Sequence, residues 1–352
     1  MAKHIDPPQA LVPPTGPSWF RAGTGLMTLR GEIPVEQVRV GDQALTLSGE
    51  GAPLKPVEGV AQLIVDLDSH PVADQATPIR VLAGAMEDGM PIRDLVVSPG
   101  HAVALEDADG QRVLVPVVYL ANGATILREP ATGLVTYVQL GLGVHDIVMA
   151  DGMAAEGARH VPQASPTVVK LHPGRAGRPA SPRPPDLSPL RPDAACAPML
   201  FGPQATSLHA RLLARAESLG HALTDDPALV LLAGDVDVPP LQADGGEYVY
   251  LLPPGTRTVR LRSRTLIPME LDPACGDSRR LGVALARVLH DGIEMALDSP
   301  AFTEGFLPPE PGASWRWTGG DAVLALQPVA QETTLELHIH LGWGRYWLPR
   351  MS

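Results

Sequence analysis

Glycine and proline interrupt this chain so often that long helices are excluded over most of its length. The 352 residues include 35 Gly and 38 Pro, about a fifth of the chain, where an average protein has about 12%. Between them lie short runs rich in Val, Leu, Ile and Thr, such as 57–67 and 136–142. Runs of this kind bounded by turn residues are typical of strands. With 45% apolar residues to form cores, the sequence predicts an all-β protein.

The length predicts about two domains. Residues 161–192 contain nine prolines and no aromatic side chain, and such a composition buries too little apolar surface to offset the entropy of ordering. We therefore expect a Pro/Arg-rich flexible linker at 160–194, between a first domain at 18–159 and a second at 195–352. Residues 1–17, with five prolines, are expected to form a loose tail.

The second domain is predicted to open with one helix over residues 206–219. Thr206 is a plausible N-cap, Leu208 and Leu212 lie on one face, and Gly220 supplies a helix stop. Alternating runs at 248–252, 258–262, 281–288 and 335–341 follow. Their spacing favours a β-sandwich-like domain.

Charge and composition exclude several classes of partner. The formal net charge is −12 without a basic run, so nucleic acid is not expected as a partner. No apolar run approaches the ~20 residues of a transmembrane helix, and the first residues lack a Sec signal. We expect a cytoplasmic protein by default, with export by a route without a Sec signal left open. Cys196 and Cys275 are too few for a disulfide framework or a cysteine-rich zinc site, and buried thiols are the expected interpretation for both.

Three sequence blocks in the first domain occur in an informative order. The first is FRAGT at 20–24 followed by residues 28–47, the second is SPGH at 98–101, and the third is residues 137–152, which end in HDIVMADG. Together they resemble the Hint (Hedgehog/intein) family in its bacterial free-standing form. The resemblance implies an all-β module with pseudo-twofold symmetry, derived from domains that process their own chain.

The resemblance also implies roles for individual side chains. In the family a Cys or Ser at the head of the first block attacks the preceding carbonyl, and a His of the second block protonates the departing nitrogen. Ser98 and His101 match the second block, and His145 matches the closing block. The nucleophile position is Trp19, whose indole has no thiol or hydroxyl. Ser18 lies one residue early, where a strand would turn its side chain to the opposite face.

Two further departures favour a degenerate domain. Gln139 stands where relatives usually carry His, and Gly141 where they usually carry an acidic residue. We therefore expect a non-enzyme, a relic of an autoproteolytic domain. Self-cleavage that uses Ser18 and His101 remains the alternative, and so does a purely structural role for His101 as a core histidine and for His145 as a turn residue.

The C-terminal domain contains a possible metal site. Glu336, His338 and His340 alternate with apolar residues, so strand periodicity places them on one face. Two imidazoles and a carboxylate suit a divalent metal, and no other cofactor is expected. A solvated strand face is the alternative.

Aromatic and arginine residues suggest other binding surfaces. Trp315 and Trp317 could stack on a sugar or fill the sandwich core. Arg279 and Arg280 could pair with Asp277 in a turn or bind an anion or sugar acid. The surrounding run, 272–283, is loosely similar to C-terminal modules of bacterial Hint proteins and of some polysaccharide-related proteins. A surface glycan or a protein is the partner expected for this domain. A metal- or carbohydrate-dependent enzyme with its site in the C-terminal domain is a further alternative.

Overall fold

A computed structural model describes residues 18–47, 53–70, 73–161, 167–169, 197–342 and 344–349. The chain divides into two compact units, residues 1–219 with 269–276 and residues 220–268 with 277–352. The predicted tail at 1–17 lies outside the described residues. So does the predicted linker at 160–194, except for 160–161 and 167–169.

Short strands make up the first unit, as the Gly/Pro pattern predicts. Its described strands are β1 (Phe20–Arg21), β2 (Gly25–Thr28), β3 (Gly31–Pro34), β4 (Gln43–Leu45), β5 (Leu54–Pro56), β6 (Gly59–Asp66), β7 (Ile79–Val81), β8 (Leu95–Val97), β9 (Ala102–Glu106), β10 (Arg112–Pro116), β11 (Ile126–Arg128), β12 (Leu134–Gly141), β13 (Asp146–Ala150), β14 (Met153–Gly157) and β15 (Thr167–Val169). Its helices are the single turn α1 (Ala73–Ala76) and the longer α2 (Thr206–Ser218).

These strands form two sheets. One has the order β11-β7-β8-β1-β12-β6-β15, and the other has the order β10-β9-β14-β13-β2-β4-β5, with β3 on β2. β13 and β14 form a hairpin closed by Asp151 and Gly152, whose φ angles of 50° and 76° are both positive. Two-residue turns of this kind match the twist of the strands they join. The third sequence block thus ends in a tight Asp-Gly turn.

The second unit is a two-sheet sandwich. Its described strands are β16 (Leu223–Thr224), β17 (Val230–Ala233), β18 (Val236–Val238), β19 (Pro240–Asp244), β20 (Glu247–Leu252), β21 (Thr258–Arg262), β22 (Ala284–His290), β23 (Ile293–Glu294), β24 (Arg316–Trp317), β25 (Asp321–Ala325), β26 (Thr333–Ile339) and β27 (Tyr346–Trp347). The sheet β18-β17-β21-β25 and the sheet β19-β20-β26-β22-β23 share one buried core. Leu231 and Leu261 enter it from one sheet, Tyr250 and Leu337 from the other.

The all-β class is confirmed, and α2 is the only helix longer than one turn among the residues described above. Its bounds agree with the predicted 206–219, but its position differs from the prediction that it opens the second domain. Leu208, Leu212 and Ala216 are buried within the first unit, because the apolar face of the helix packs on that unit. No helix in the described ranges is long and apolar enough to cross a membrane.

Candidate functional site

Trp19 lies immediately before β1 and is almost completely buried. Its indole packs in an apolar cluster with Ala61, Val65 and Tyr137, which lie on the neighbouring strands β6 and β12. The indole Nε1 has no hydrogen-bond partner within the described chain. The position for which the resemblance implies a nucleophile therefore holds a packed apolar ring.

Ser98 holds the backbone of Trp19 from both sides. The Trp19 N–H donates to Ser98 Oγ at 3.1 Å, and the Ser98 N–H donates to the Trp19 carbonyl at 2.9 Å. The next residue, Phe20, pairs with Val97 of β8 and Val138 of β12. The backbone on both sides of Trp19 is thus fixed between two strands.

His101 lies beside the same peptide and is fully buried. A turn brings it there, because its N–H donates to the Ser98 carbonyl at 3.0 Å. Its ring lies 4.3 Å from the Phe20 ring, centroid to centroid.

Burial lowers the pKa of His101 to about 4, although the charge of Glu156 and the Trp19 backbone favour the protonated form. Desolvation disfavours a charged imidazole. His101 is therefore neutral at pH 7. A neutral imidazole is a poor proton donor to a leaving nitrogen.

A polar cluster includes Ser18, the residue before Trp19. Ser18 Oγ donates to Glu156 Oε2, and His145 Nε2 lies 2.7 Å from Glu156 Oε1. Burial opposes ionisation of Glu156, but the hydrogen bonds from His145 and Ser18 outweigh it and hold the pKa of this carboxyl below its usual range. Glu156 is thus a buried carboxylate that joins Ser18 to His145.

Sequence analysis missed Glu156. It lies on β14 opposite Ile147 of β13, so the Asp-Gly hairpin brings it beside His145. An acidic residue inside the otherwise small and apolar strand MAAEG was the available signal. The structure brings Ser18 and His145 together through this carboxylate. The self-cleavage alternative expected Ser18 to act with His101, but the Ser18 hydroxyl donates its hydrogen bond to Glu156.

Gln139 and Gly141 both lie on β12. Gln139 is buried opposite Ala61 of β6. A Cβ on Gly141 would lie 3.1 Å from the backbone N of Val161. A side chain at position 141 would require residues 160–161 to shift by a few tenths of an ångström.

The structure does not assemble the proposed metal ligands of the second unit. Glu336 and His338 lie on β26, two residues apart along a strand that rises about 3.3 Å per residue. His338 Nδ1 lies 3.4 Å from Glu247 Oε1, and Arg287 of β22 lies opposite it on the other side. The His340 ring contacts Trp315 instead, at 5.9 Å between centroids. In the described ranges no group of three or more His, Cys, Asp or Glu is placed to hold a metal ion.

The two tryptophans lie at the margin of the sandwich. Trp315 and Trp317 are half-buried, and neither belongs to the shared core. Trp317, His340 and Tyr346 line a cavity of about 10 Å³, which has room for a single water molecule. A sugar would therefore stack on the surface here and not enter a pocket.

The arginine run forms ion pairs on the surface. Arg279 contacts Asp277 and Glu310, each at 2.7 Å. Its contact with Asp277 is the one expected if the two residues pair in a turn. Arg280 donates to Thr265 Oγ1 at 3.2 Å and does not share Asp277. Cys275 is half-buried, and Cys196 lies outside the described residues.

Several solved structures are similar to about two fifths of this chain. The gp41-1 intein is 11% identical over 40% of this chain and 98% of that chain, with a TM-score of 0.26. A bacterial intein-like domain from Clostridium thermocellum is 14% identical over 40% of this chain and 99% of that chain, with a TM-score of 0.28. The AceL NrdHF class 3 split intein, in a glutathione-linked, splice-inactive variant, is 14% identical over 40% of this chain and 97% of that chain, with a TM-score of 0.27. No curated protein matches the chain.

The family match covers the same part of the sequence as the site described above. Residues 19–161 match the family model described as the Hint domain. This segment begins at Trp19, contains Ser98, His101 and Glu156, and ends just after β14. We conclude that the chain contains a Hint domain at residues 19–161.

Proposed function

We propose that the Hint domain of this protein is a scaffold that has lost autoproteolysis and carries a C-terminal binding module. The observation that supports the loss is the position of Trp19. Its peptide is held by Ser98 as a reacting peptide would be, yet its side chain is an indole in an apolar cluster. A covalent mechanism requires a nucleophile within reach of the carbonyl carbon, and an indole cannot serve.

Mass spectrometry of the purified full chain tests this proposal. After incubation with excess thiol or hydroxylamine, which cleave thioesters and esters, we expect a single mass for the intact chain. A fragment that begins at Ser18 or Trp19 would refute the loss of activity. Trp19→Cys serves as a comparison that restores a nucleophile without changing Ser98 or His101.

The hydrogen bond from Ser18 to Glu156 favours one alternative, cleavage before Ser18. In that reaction Ser18 Oγ would attack the carbonyl carbon of residue 17 and pass its proton to Glu156. The amide C–N bond would break, its nitrogen would take up a proton, and water would hydrolyse the resulting ester. A fragment that begins at Ser18, and that disappears in Ser18→Ala and Glu156→Gln but persists in His101→Gln, would establish this alternative.

The binding role of the second unit rests on its half-buried tryptophans. Indole rings with one accessible edge or face suit stacking on sugars, and Trp317 lies beside Tyr346 and His340. Titration of the full chain with neutral and acidic oligosaccharides, followed by tryptophan fluorescence, tests this role. We expect a change that is lost in Trp317→Phe and retained in Trp19→Phe. A response that is absent with every oligosaccharide would exclude a glycan and leave a protein partner.

A further inference from the structure

A later part of the chain covers one face of the Hint domain. Leu114 of β10 is fully buried, and its backbone N–H donates to the Pro198 carbonyl at 2.8 Å. The Leu200 N–H donates back to the Leu114 carbonyl at 2.9 Å, so residues 198–200 run parallel to β10. This short segment extends the sheet of the Hint domain beyond the end of the family match.

Helix α2 continues the same contact. Its side chains Leu208 and Leu212 are 2% and 0% exposed. His209 Nε2 lies 3.1 Å from the Ala121 carbonyl, and Asn122 Nδ2 donates to the Leu212 carbonyl at 3.4 Å. Burial lowers the pKa of His209, so a neutral imidazole donates to Ala121. The centre of the contact is therefore apolar and its buried polar groups are paired.

Arginines surround this apolar centre. Arg211 donates to the Glu106 carbonyl at 3.0 Å. Arg215 donates to the Gly84 carbonyl through Nε and Nη2, at 3.1 and 2.9 Å, and to Asp88 Oδ1 at 2.6 Å. An apolar core within a polar rim is the usual anatomy of a stable protein interface.

One more segment joins the same unit. Residues 269–276 belong to it, and Arg128 of β11 donates to Met269 Sδ at 3.8 Å and pairs with Glu270 at 3.7 Å. None of these contacts involves residues 162–196. The interface is thus independent of the chain that connects its two sides.

From this interface we infer that residues 197–219 and 269–276 are a built-in partner of the Hint domain, which keeps the two halves of the protein together after the connecting segment is cut. Proteolysis anywhere in 162–196 then produces a two-chain complex and does not release the C-terminal half. The inference does not depend on whether the Hint domain is catalytically active.

The test uses the full chain with a recognition site for a specific protease inserted between Ala180 and Ser181. After complete cleavage, size-exclusion chromatography at micromolar concentration is expected to give one peak that contains both pieces in equal amounts. Denaturant is expected to separate them. Two peaks under native conditions would overturn the inference.

Point variants locate the interface. Leu212→Ala removes a fully buried side chain, and we expect the dissociation constant of the cut protein to rise roughly 30-fold or more. Leu213→Ala removes the same atoms from the neighbouring half-buried position and is the matched control, expected to change it by no more than about fivefold. Equal effects of the two substitutions would contradict the assignment.

Arg215→Ala provides a second route if Leu212→Ala reduces folding of the uncut chain. It removes rim hydrogen bonds without opening a cavity in the apolar centre. We expect a roughly tenfold weaker complex, with the circular dichroism of the uncut chain unchanged. An unchanged dissociation constant would show that the Arg215 contacts do not stabilise the complex, and it would contradict the inference.

Discussion

The Hint domain is expected to lose stability in mild acid because of His101. Burial lowers the pKa of this imidazole to about 4 in the folded protein, whereas the unfolded chain takes up the proton near pH 6.5. Between these values the unfolded state binds more protons, so the free energy of unfolding falls as the pH falls. The contribution is fully present above pH 6.5 and is lost by about pH 4.

The expected magnitude follows from these two pKa values. Each unit of difference corresponds to about 1.4 kcal/mol, so the whole effect is about 3 kcal/mol, of which about 2 kcal/mol is lost between pH 7 and pH 5. His101→Gln removes the titrating group. The variant should therefore lose about 2 kcal/mol less than the wild type over this interval.

Urea unfolding at pH 7 and pH 5 measures the difference. Hydrogen exchange of amides in β9 and β13 reports the first unit separately from the second. His209, whose pKa is also lowered by burial, titrates in both proteins and cancels. Equal losses in wild type and variant would refute the reasoning, as would an NMR titration that places the pKa of His101 near 6.5. Between pH 7.5 and 8.5 the two proteins should show the same pH dependence.

Two further substitutions test other polar groups. Glu156→Gln replaces the carboxylate that pairs with His145, and should lower the free energy of unfolding by about 1–3 kcal/mol at pH 7. Because the pKa of Glu156 is lowered, this loss of stability should shrink as the pH falls below the ordinary carboxyl pKa of 4.5. A loss that stays constant in urea unfolding at low pH would contradict the ionised state of Glu156. Arg316→Lys should lower the stability of the second unit by about 2 kcal/mol, because the guanidinium lies 5.2 Å from the Phe302 ring centroid and donates to two backbone carbonyls. Thermal unfolding measures this effect. Arg287→Lys, at an exposed position, is the control and should change the stability little.

Local sequence patterns were sufficient for the elements of the Hint domain and for part of its site. Strand runs, the Asp151-Gly152 turn and helix α2 follow from side-chain periodicity and turn chemistry, which act over a few residues. The order of the three blocks was enough to place Ser98 and His101 beside the peptide of Trp19. That Trp19 has neither a thiol nor a hydroxyl is a property of one residue type and can be read without coordinates.

Only the tertiary structure decided which of these elements contact one another. Ser18 donates a hydrogen bond to Glu156, which lies 138 residues later in the chain. No local sequence pattern predicts a contact between residues so far apart. Helix α2 has an apolar face that fits either domain on sequence grounds, and it packs on the first because Ala121 and Asn122 offer it polar partners there. Glu336 and His338 lie on one face of β26, but metal ligands must converge from several elements, and the neighbouring strands supply Glu247 and Arg287 instead. Periodicity determines which side chains point inward, whereas the partner they meet depends on complementary shape, charge and hydrogen bonding between segments far apart in the chain.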